Sequence, residues 1–452
     1  MTPQPARRIA LDVIMAVRDS DAYANLLLPV RLGRAKLSEA DAGLATELTY
    51  GTLRMQGYYD RIIAMAAGRS VDKIDPPILD VLRLACHQLL SMRVAQHAAV
   101  DESVQLAKTV GSNSAVGFVN GVLRTITRTD SDVWRARVLA QATSGEEALA
   151  LEYSHPLWVT RAFRQVLTAE GREAELEALL AADNVAPRVS IAALPGESST
   201  GELDAHPAEF SPVGVILDGG DPLKLDAVRQ GRARVQDEGS QLAALALSRA
   251  RPIVKGEQWL DLCAGPGGKA ALLAAEARAG GATLTANELV PARAGLVRKA
   301  LSVFDSPPEV WELDGITVGE LYPGAFDRIL LDAPCTGLGA LRRRPEARWR
   351  KQPSDVAGLG TLQAKLLASA IAALKPGGVL AYVTCSPHAA ETKSIVASVL
   401  RKTEGIERID TPQVVQGIVN EPLDLPDATH VQLWPHRHGT DAMFIQLLTK
   451  SS

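Results

Sequence analysis

Two short strings of this chain carry residue types that do covalent chemistry, Leu331-Asp332-Ala333-Pro334-Cys335 and Val383-Thr384-Cys385-Ser386. Each places a cysteine just beyond a run of aliphatic residues, the pattern of a strand end, and the first adds a carboxylate. A single cysteine in such a place is most often a small buried apolar residue. Two thiols beside an acid suit a harder task, the activation of an unreactive ring. A thiolate that adds to carbon 6 of a cytosine turns the ring into an enamine, and carbon 5 can then attack a sulfonium methyl. A protonated or hydrogen-bonding carboxyl, here Asp332, near ring nitrogen 3 absorbs the developing charge. A base must then remove the carbon 5 proton, a step that Cys335 or a water it holds could serve. The nucleophilic thiol has to ionise near neutral pH, which nearby cations and helix amides favour.

A second constellation lies upstream, in Asp261-Leu262-Cys263-Ala264-Gly265-Pro266-Gly267-Gly268-Lys269. Gly265, Gly267 and Gly268 let the backbone approach a ligand closely and leave amides free at a helix start. It is not a phosphate-binding Walker A loop, because Ala270 follows Lys269 and the glycine spacing is wrong, nor is it Gly-x-Gly-x-x-Gly. Alone, such a string is equally a tight turn. Nineteen residues after Lys269, Glu288 ends the next strand, where a carboxylate can accept both ribose hydroxyls of an adenosine. Glycine loop and acidic strand end together point to a nucleoside cofactor. Asp314 sits where a carboxylate could meet an adenine amino group, although Asp314-Gly315 also reads as a turn.

These groups need a scaffold that brings distant segments together. From Val235 short apolar strands alternate with helices: strands over Gln258–Cys263, Ala282–Asn287, Phe326–Asp332 and Val379–Thr384, helices over Pro291 to about Phe304 and about Gly360 to Leu374. Strict alternation predicts a parallel, doubly wound sheet with right-handed crossovers and ligands at the carboxyl ends of its strands. In a 3-2-1-4-5 order the two cysteine-bearing strands are neighbours. Thr429–Trp434 and Met443–Leu448 read as an antiparallel pair closing one edge. Residues 5 to about 128 are helical instead, with apolar stripes at Ile9–Ile14, an almost wholly apolar Ile78–Ala85 and amphipathic runs at Val100–Val110 and Gly117–Ile126. The expected organisation is multidomain. An all-α helical bundle fills 1–130. A linker and small mixed α/β subdomain fills 131–230, where 131–151 is a polar connection, Trp158–Ala182 one helix and Pro195–Pro222 loops. A Rossmann-like α/β domain fills 231–452.

The matching strings, with Val235-Gln236-Asp237-Glu238-Gly239-Ser240 and Tyr382-Val383-Thr384-Cys385-Ser386, resemble the RNA 5-methylcytosine methyltransferase family, specifically its RsmB (Sun/Fmu) branch acting on small-subunit (16S) ribosomal RNA. The resemblance implies Cys385 as the covalent nucleophile, Cys335 as the residue assisting product release, and S-adenosyl-L-methionine as cofactor. By the same resemblance that cofactor lies against Cys263, Ala264, Gly265, Pro266, Gly267, Gly268, Lys269, Glu288, Asp314 and Asp332. The first 130 residues are similar to the antitermination factor NusB, through Leu82–Ala85, Asp101–Lys108 and Gly117–Leu123, which implies an RNA-binding domain and supports the branch. After Cys385 the chain reads Ser386-Pro387-His388-Ala389-Ala390-Glu391, where many relatives have Pro-Glu-Glu-Asn, leaving Glu391 to substitute for those acids.

Composition sets the outer limits. The chain has 452 residues, a net charge of -4 and 46% hydrophobic residues, which excludes disordered, collagen-like and membrane-embedded classes and requires more than one core. Asp12 interrupts the first apolar stretch, which argues against a signal peptide. Four unpaired cysteines fit a cytoplasmic protein. No metal-ligand spacing is present, and a monomer without membrane partner is expected. Arg342, Arg343, Arg344 and Arg348 form a cation cluster after Cys335; such runs are often solvated faces, and on a loop rimming the crevice they would hold phosphates of a single-stranded or flipped-out RNA segment. Other readings are transfer RNA as substrate, or a non-catalytic RNA-binding assembly factor, which leaves both thiols without a task. Methylation of an exocyclic amine is disfavoured because Asp332-Ala333-Pro334-Cys335 lacks the Asp/Asn-Pro-Pro-aromatic string, and a nicotinamide oxidoreductase also leaves the thiols unexplained.

Overall fold

The structure is a computed structural model and describes residues 4–20 and 22–451. Its contacts divide the chain into two units. One holds residues 1–164, 172–186 and 341–350; the other holds residues 165–171, 187–340 and 351–452. The expected segment 131–230 is therefore no unit of its own, since its first part belongs to the helical unit and the rest to the sheet-bearing unit.

The sheet-bearing unit contains two sheets. In the smaller, β1 (Val189–Ala193), β2 (His206–Pro207), β3 (Gly214–Leu217) and β4 (Ala233–Val235) pair antiparallel in the order β2-β3-β1-β4. Ile191, Ala193, Leu203, Val215 and Leu217 form a core of their own beneath it. Strands this short, set among Gly and Pro, carry too few alternating residues to show as strands in sequence.

The larger sheet holds β5 (Gln258–Asp261), β6 (Thr283–Asn287), β7 (Glu309–Trp311), β8 (Phe326–Asp332), β9 (Leu374–Thr384), β10 (Ile406–Arg408), β11 (Val431–Gln432) and β12 (Phe444–Lys450). The order is β10-β12-β9-β8-β5-β6-β7, with β11 paired to β12. Strands β5 to β9 run parallel, and β12 is antiparallel to β9. Counted from β5, the parallel part is the 3-2-1-4-5 order expected. The C-terminal pair does not itself close the edge, because β10 lies outside β12. Strand order reverses between β5 and β8, and there the carboxyl ends of neighbouring strands splay apart to leave a crevice.

Buried side chains hold both faces of this sheet. Leu242 to Leu247, Leu272 and Leu273 cover one face, in one core with Trp259 of β5 and Leu330 of β8. On the other, Leu366, Leu367, Ala370 and Ile371 of the helix Pro353–Ala373 pack against Ile329, Leu331, Leu380 and Tyr382. That helix is long and apolar enough to cross a membrane, yet its buried stripe makes it a core helix of the sheet. Each of its fully buried leucines contributes roughly 1.5–3 kcal/mol. It begins earlier than the apolar pattern suggests, because Pro353 at its first turn and a Gln352–Asp355 capping box nucleate a polar start.

The helical unit is built around Pro76–Leu90, buried from Ile78 to Gln88. The stretch read as a polar connection forms two further helices, Ser131–Leu139 and Gly145–Glu152. Trp134 and Val138 join the main helical core, and the Trp134 indole donates to the Ile126 carbonyl at 3.1 Å. Trp158–Ala182 is likewise two helices, Leu157–Ala169 and Leu176–Ala182, broken at Gly171 with φ 71°.

Candidate active site

Parallel register places the two thiols. Asp332 of β8 lies opposite Val383 of β9, and the Ala333 amide donates to the Val383 carbonyl at 2.8 Å. Each chain leaves its strand within two or three residues, so Cys335 and Cys385 enter one crevice with their sulfurs 3.5 Å apart. Both cysteines are partly exposed. The hydrogen bond to Cys385 is the largest force holding the Cys335 thiol protonated, well above the usual thiol range, and burial adds to it.

Lys269 and Asp332 pair at 2.8 Å beside the thiols. Burial alone would lower the Lys269 pKa, but Asp332, Cys385 and Asp261 together raise it, so the ammonium stays charged and faces Cys385. Behind this pair Asp261 ends β5, fully buried. Burial, reinforced by Asp332, pushes its carboxyl up to about 8.

The glycine loop runs from β5 into the helix Gly268–Ala279. Gly267 adopts φ 103°, and a Cβ there would meet Ala300 at 2.6 Å. A Cβ on Gly265 would lie 2.2 Å from Glu288 Oε2, whose carboxylate accepts from the Gly265 amide at 3.1 Å and the Val290 amide at 3.0 Å. Glu288 is buried, and Arg293 reaches back to donate to the Gly265 carbonyl at 2.8 Å. Between β6 and β7, Asn287 donates to the Leu262 and Leu313 carbonyls and accepts from the Leu313 amide. This fastens the glycine loop to the segment bearing Asp314. Asp314 itself is exposed at the end of β7 and makes the turn, its Oδ1 accepting from Ile316 at 3.0 Å. The cradle fits an adenosyl cofactor: a small-residue loop, free amides at a helix start and a buried carboxylate on the adjoining strand. Cys263, Ala264 and Pro266 belong to the loop, and burial raises the Cys263 thiol far above its ordinary range, so its backbone rather than its sulfur is what the loop offers.

A buried acid ties both thiol loops together. Glu391, 0% exposed, accepts from the Thr336 amide at 2.8 Å, the Thr336 hydroxyl, the Ser386 hydroxyl at 2.7 Å and Gln363 Nε2 at 3.3 Å. Thr336 follows Cys335 and Ser386 follows Cys385. Gln363 also donates to the Pro334 carbonyl at 2.8 Å. Gly339 adds a backbone link, its amide donating to the Cys385 carbonyl at 2.8 Å, where a Cβ would strike the Ala442 carbonyl at 2.1 Å. The sequence pointed to Glu391 through the missing Pro-Glu-Glu-Asn run. Gln363, on a helix face with no motif around it, gave no signal.

The arginine cluster differs from expectation. Residues 341–350 cluster with the helical unit and not with the sheet-bearing unit that carries the thiols. Arg348 is 0% exposed, with its guanidinium donating to the Arg54, Ser154 and Asp183 carbonyls and to Asn184 Oδ1 at 2.9 Å. Arg342 is also buried, and its carbonyl accepts from Arg54. Neither side chain is open to a phosphate. Arg343 is half-buried; Arg344 is exposed and lies over the Tyr23 ring.

Comparison with known proteins gives the lineage. Residues 251–449 match the family described as 16S rRNA methyltransferase RsmB/F, and residues 4–128 match the NusB family. A Mycobacterium tuberculosis protein whose name goes no further than methyltransferase is 48% identical over 99% of this chain and 96% of its own. The Pseudomonas putida ribosomal RNA small subunit methyltransferase B is 31% identical over 89% of this chain and 91% of its own. Among solved structures, that of PH0851 has a TM-score of 0.82 at 22% identity, covering 100% of this chain and 99% of that one, a likeness of fold. The chain thus belongs to the RsmB/F methyltransferase family, with a NusB-family domain ahead of its methyltransferase domain.

Proposed function

We propose that this protein forms 5-methylcytosine in small-subunit ribosomal RNA through a covalent adduct between Cys385 and carbon 6 of the target base. The observation that carries the reading is the 3.5 Å approach of the Cys385 and Cys335 sulfurs beside the Lys269–Asp332 pair. The small-subunit RNA assignment leans on the names of the Pseudomonas relatives. S-adenosyl-L-methionine, held by residues 263–269, Glu288, Asp314 and Asp332, supplies an electrophilic methyl when bound.

Cys385 is the nucleophile, with the Cys335 S–H donating to its sulfur and the Lys269 ammonium favouring the anion. As the C6–S bond forms, Asp332, which must carry a proton for this step, donates a hydrogen bond to ring nitrogen 3 and stabilises the negative charge that develops there. Adduct formation occupies the Cys385 sulfur, and so removes the largest force that keeps the proton on Cys335. Once carbon 5 carries the methyl, Cys335, its own thiol proton first released to water, or a water it holds, takes the carbon 5 proton; the C5–H electrons restore the ring double bond and the C6–S electrons return to Cys385. Glu391 positions both loops and touches neither the base nor the cofactor.

The test is methyl transfer from labelled cofactor to ribosomal RNA. Cys385→Ala should abolish transfer, and Cys335→Ala should accumulate a protein–RNA adduct that survives a denaturing gel. Full turnover by Cys385→Ala refutes the covalent role.

A further inference from the structure

On the sheet-bearing unit, away from the cradle and the thiols, a groove of about 490 Å³ lies between the helix Lys393–Leu400, the strands β10 and β12, and Thr429 and His430 just ahead of β11. Its walls carry Lys393, Arg401 and Arg408, with Ser394, His430 and Gln446 between them. All three cations are exposed, and among the described residues none has an acidic partner within 4.0 Å. The floor is polar and fixed: Gln446 donates to the Thr429 carbonyl at 3.0 Å and accepts from the Thr429 hydroxyl, while the His430 ring rests on Phe444 at 5.0 Å. Burial lowers the His430 pKa to about 4, and the charges that add to this are Lys393 and Arg408, both positive.

We propose that this groove binds the phosphodiester backbone of the substrate RNA, to one side of the base held in the thiol crevice. The ligand class rests on the proposed function; the groove itself does not. Three unpaired cations around a fixed polar floor are a phosphate site by chemistry, since each cation can replace a counterion of the polymer. Chain connectivity ties it to the crevice. Lys393 stands two residues beyond Glu391, which holds both thiol loops. On β12, Gln446 lies opposite Tyr382, three residues before Cys385, roughly 10 Å along the strand at ~3.4 Å per residue. A polymer whose target base enters the crevice passes this distance within a few nucleotides; a free phosphate has no reason to be held there. Sequence reading placed the phosphate contacts on the Arg342–Arg348 cluster. The groove puts them instead on cations scattered over 393–408, which have no motif.

The experiment uses the full chain and a fluorescein-labelled single-stranded RNA, with anisotropy read across a salt series and no methyl transfer required. Replacing Lys393, Arg401 and Arg408 together by Gln should weaken binding at least tenfold near physiological salt. It should also flatten the slope of log affinity against log salt by about 2, at about 0.7 per lost contact on a single strand. The single changes Arg401→Gln and Lys393→Gln should each take about 0.7, which keeps the test open should the triple variant misfold. Lys402→Gln removes an exposed cation of the same turn that does not line the groove, and should leave the slope in place. Unchanged RNA affinity in the triple variant overturns the proposal, as does an equal effect of Lys402→Gln, which would reduce it to net charge. Inorganic phosphate is the second probe: phosphate binding lost with RNA binding intact would make this a free-anion site and also overturn it. A protein that binds RNA through the groove yet transfers no methyl would refute the catalytic reading and leave this one standing.

Discussion

Removing the Glu391 carboxylate should disable catalysis without touching the cofactor site. In Glu391→Ala the Thr336 amide, the Thr336 and Ser386 hydroxyls and Gln363 all lose their acceptor in a buried setting. The two hydroxyls, 3.2 Å apart, can turn to each other, and Gln363 keeps the Pro334 carbonyl. The Thr336 amide has no such refuge. An unmet buried donor costs about 1–3 kcal/mol, and the vacated volume adds to it, for a total of about 3–5 kcal/mol. The loops can relieve much of this by shifting, and a shift of ~1 Å in a reacting group costs about 100-fold in rate, equal to ~2.7 kcal/mol. The expected result is therefore a kcat about 100-fold lower in tritium transfer to RNA, with the KM for S-adenosyl-L-methionine unchanged. Glu391→Gln keeps an oxygen for the Thr336 amide and should restore kcat to within about tenfold of the parent. A kcat for Glu391→Ala within twofold of the parent would refute the positioning role. So would a rise in cofactor KM equal to the fall in kcat, which would mean general unfolding of the site.

Two further outcomes follow from the cofactor side. Gly265→Ala drives a Cβ to 2.2 Å from Glu288 Oε2, so titration calorimetry should show S-adenosyl-L-methionine binding weakened by about 10- to 100-fold, the ~1–3 kcal/mol of an overpacked site. Unchanged affinity would mean that the loop does not hold the cofactor. Asp261, with its carboxyl pushed up to about 8, takes up a proton on folding, so its favourable contribution is complete below the unfolded value near 4 and is lost as pH rises toward 8. The melting temperature of the cofactor-free protein should drop between pH 6 and pH 8, and Asp261→Asn should shrink that drop; an equal drop in both proteins would contradict the buried-acid account.

What the residues revealed in advance, and what they hid, divides along physical lines. Strand order, the neighbouring thiols and the glycine cradle were legible because each depends on local pattern: aliphatic runs, Gly at a tight approach, an acid at a strand end. The helices Ser131–Leu139 and Gly145–Glu152 were not, because only a few residues such as Trp134, Val138 and Ala150 bury themselves among many polar ones. Arg348 misled for a different reason. Its partners are mostly backbone carbonyls, from Arg54, Ser154 and Asp183, and a carbonyl leaves no trace in the identity of a residue. A cation satisfied by carboxylates would have shown compensating acids nearby; one satisfied by peptide groups looks free. Gln363 was invisible on the same principle, as one amide in a long apolar helix.

The ten residues 341–350 give the molecule an interleaved inheritance. They are encoded in the midst of the methyltransferase segment, yet the helical unit needs them, since Arg348 fills its interior and the Ala24 amide there donates to Glu346 at 3.1 Å. No single cut in the chain yields two intact halves. A fragment ending at residue 186 lacks this plug, and a fragment starting at 187 carries it bare, with a guanidinium selected for a dry interior turned out to water. Exchange of the helical unit between related enzymes therefore has to bring two separate stretches of sequence at once, which ties the history of the front of the protein to that of a loop six residues past Cys335.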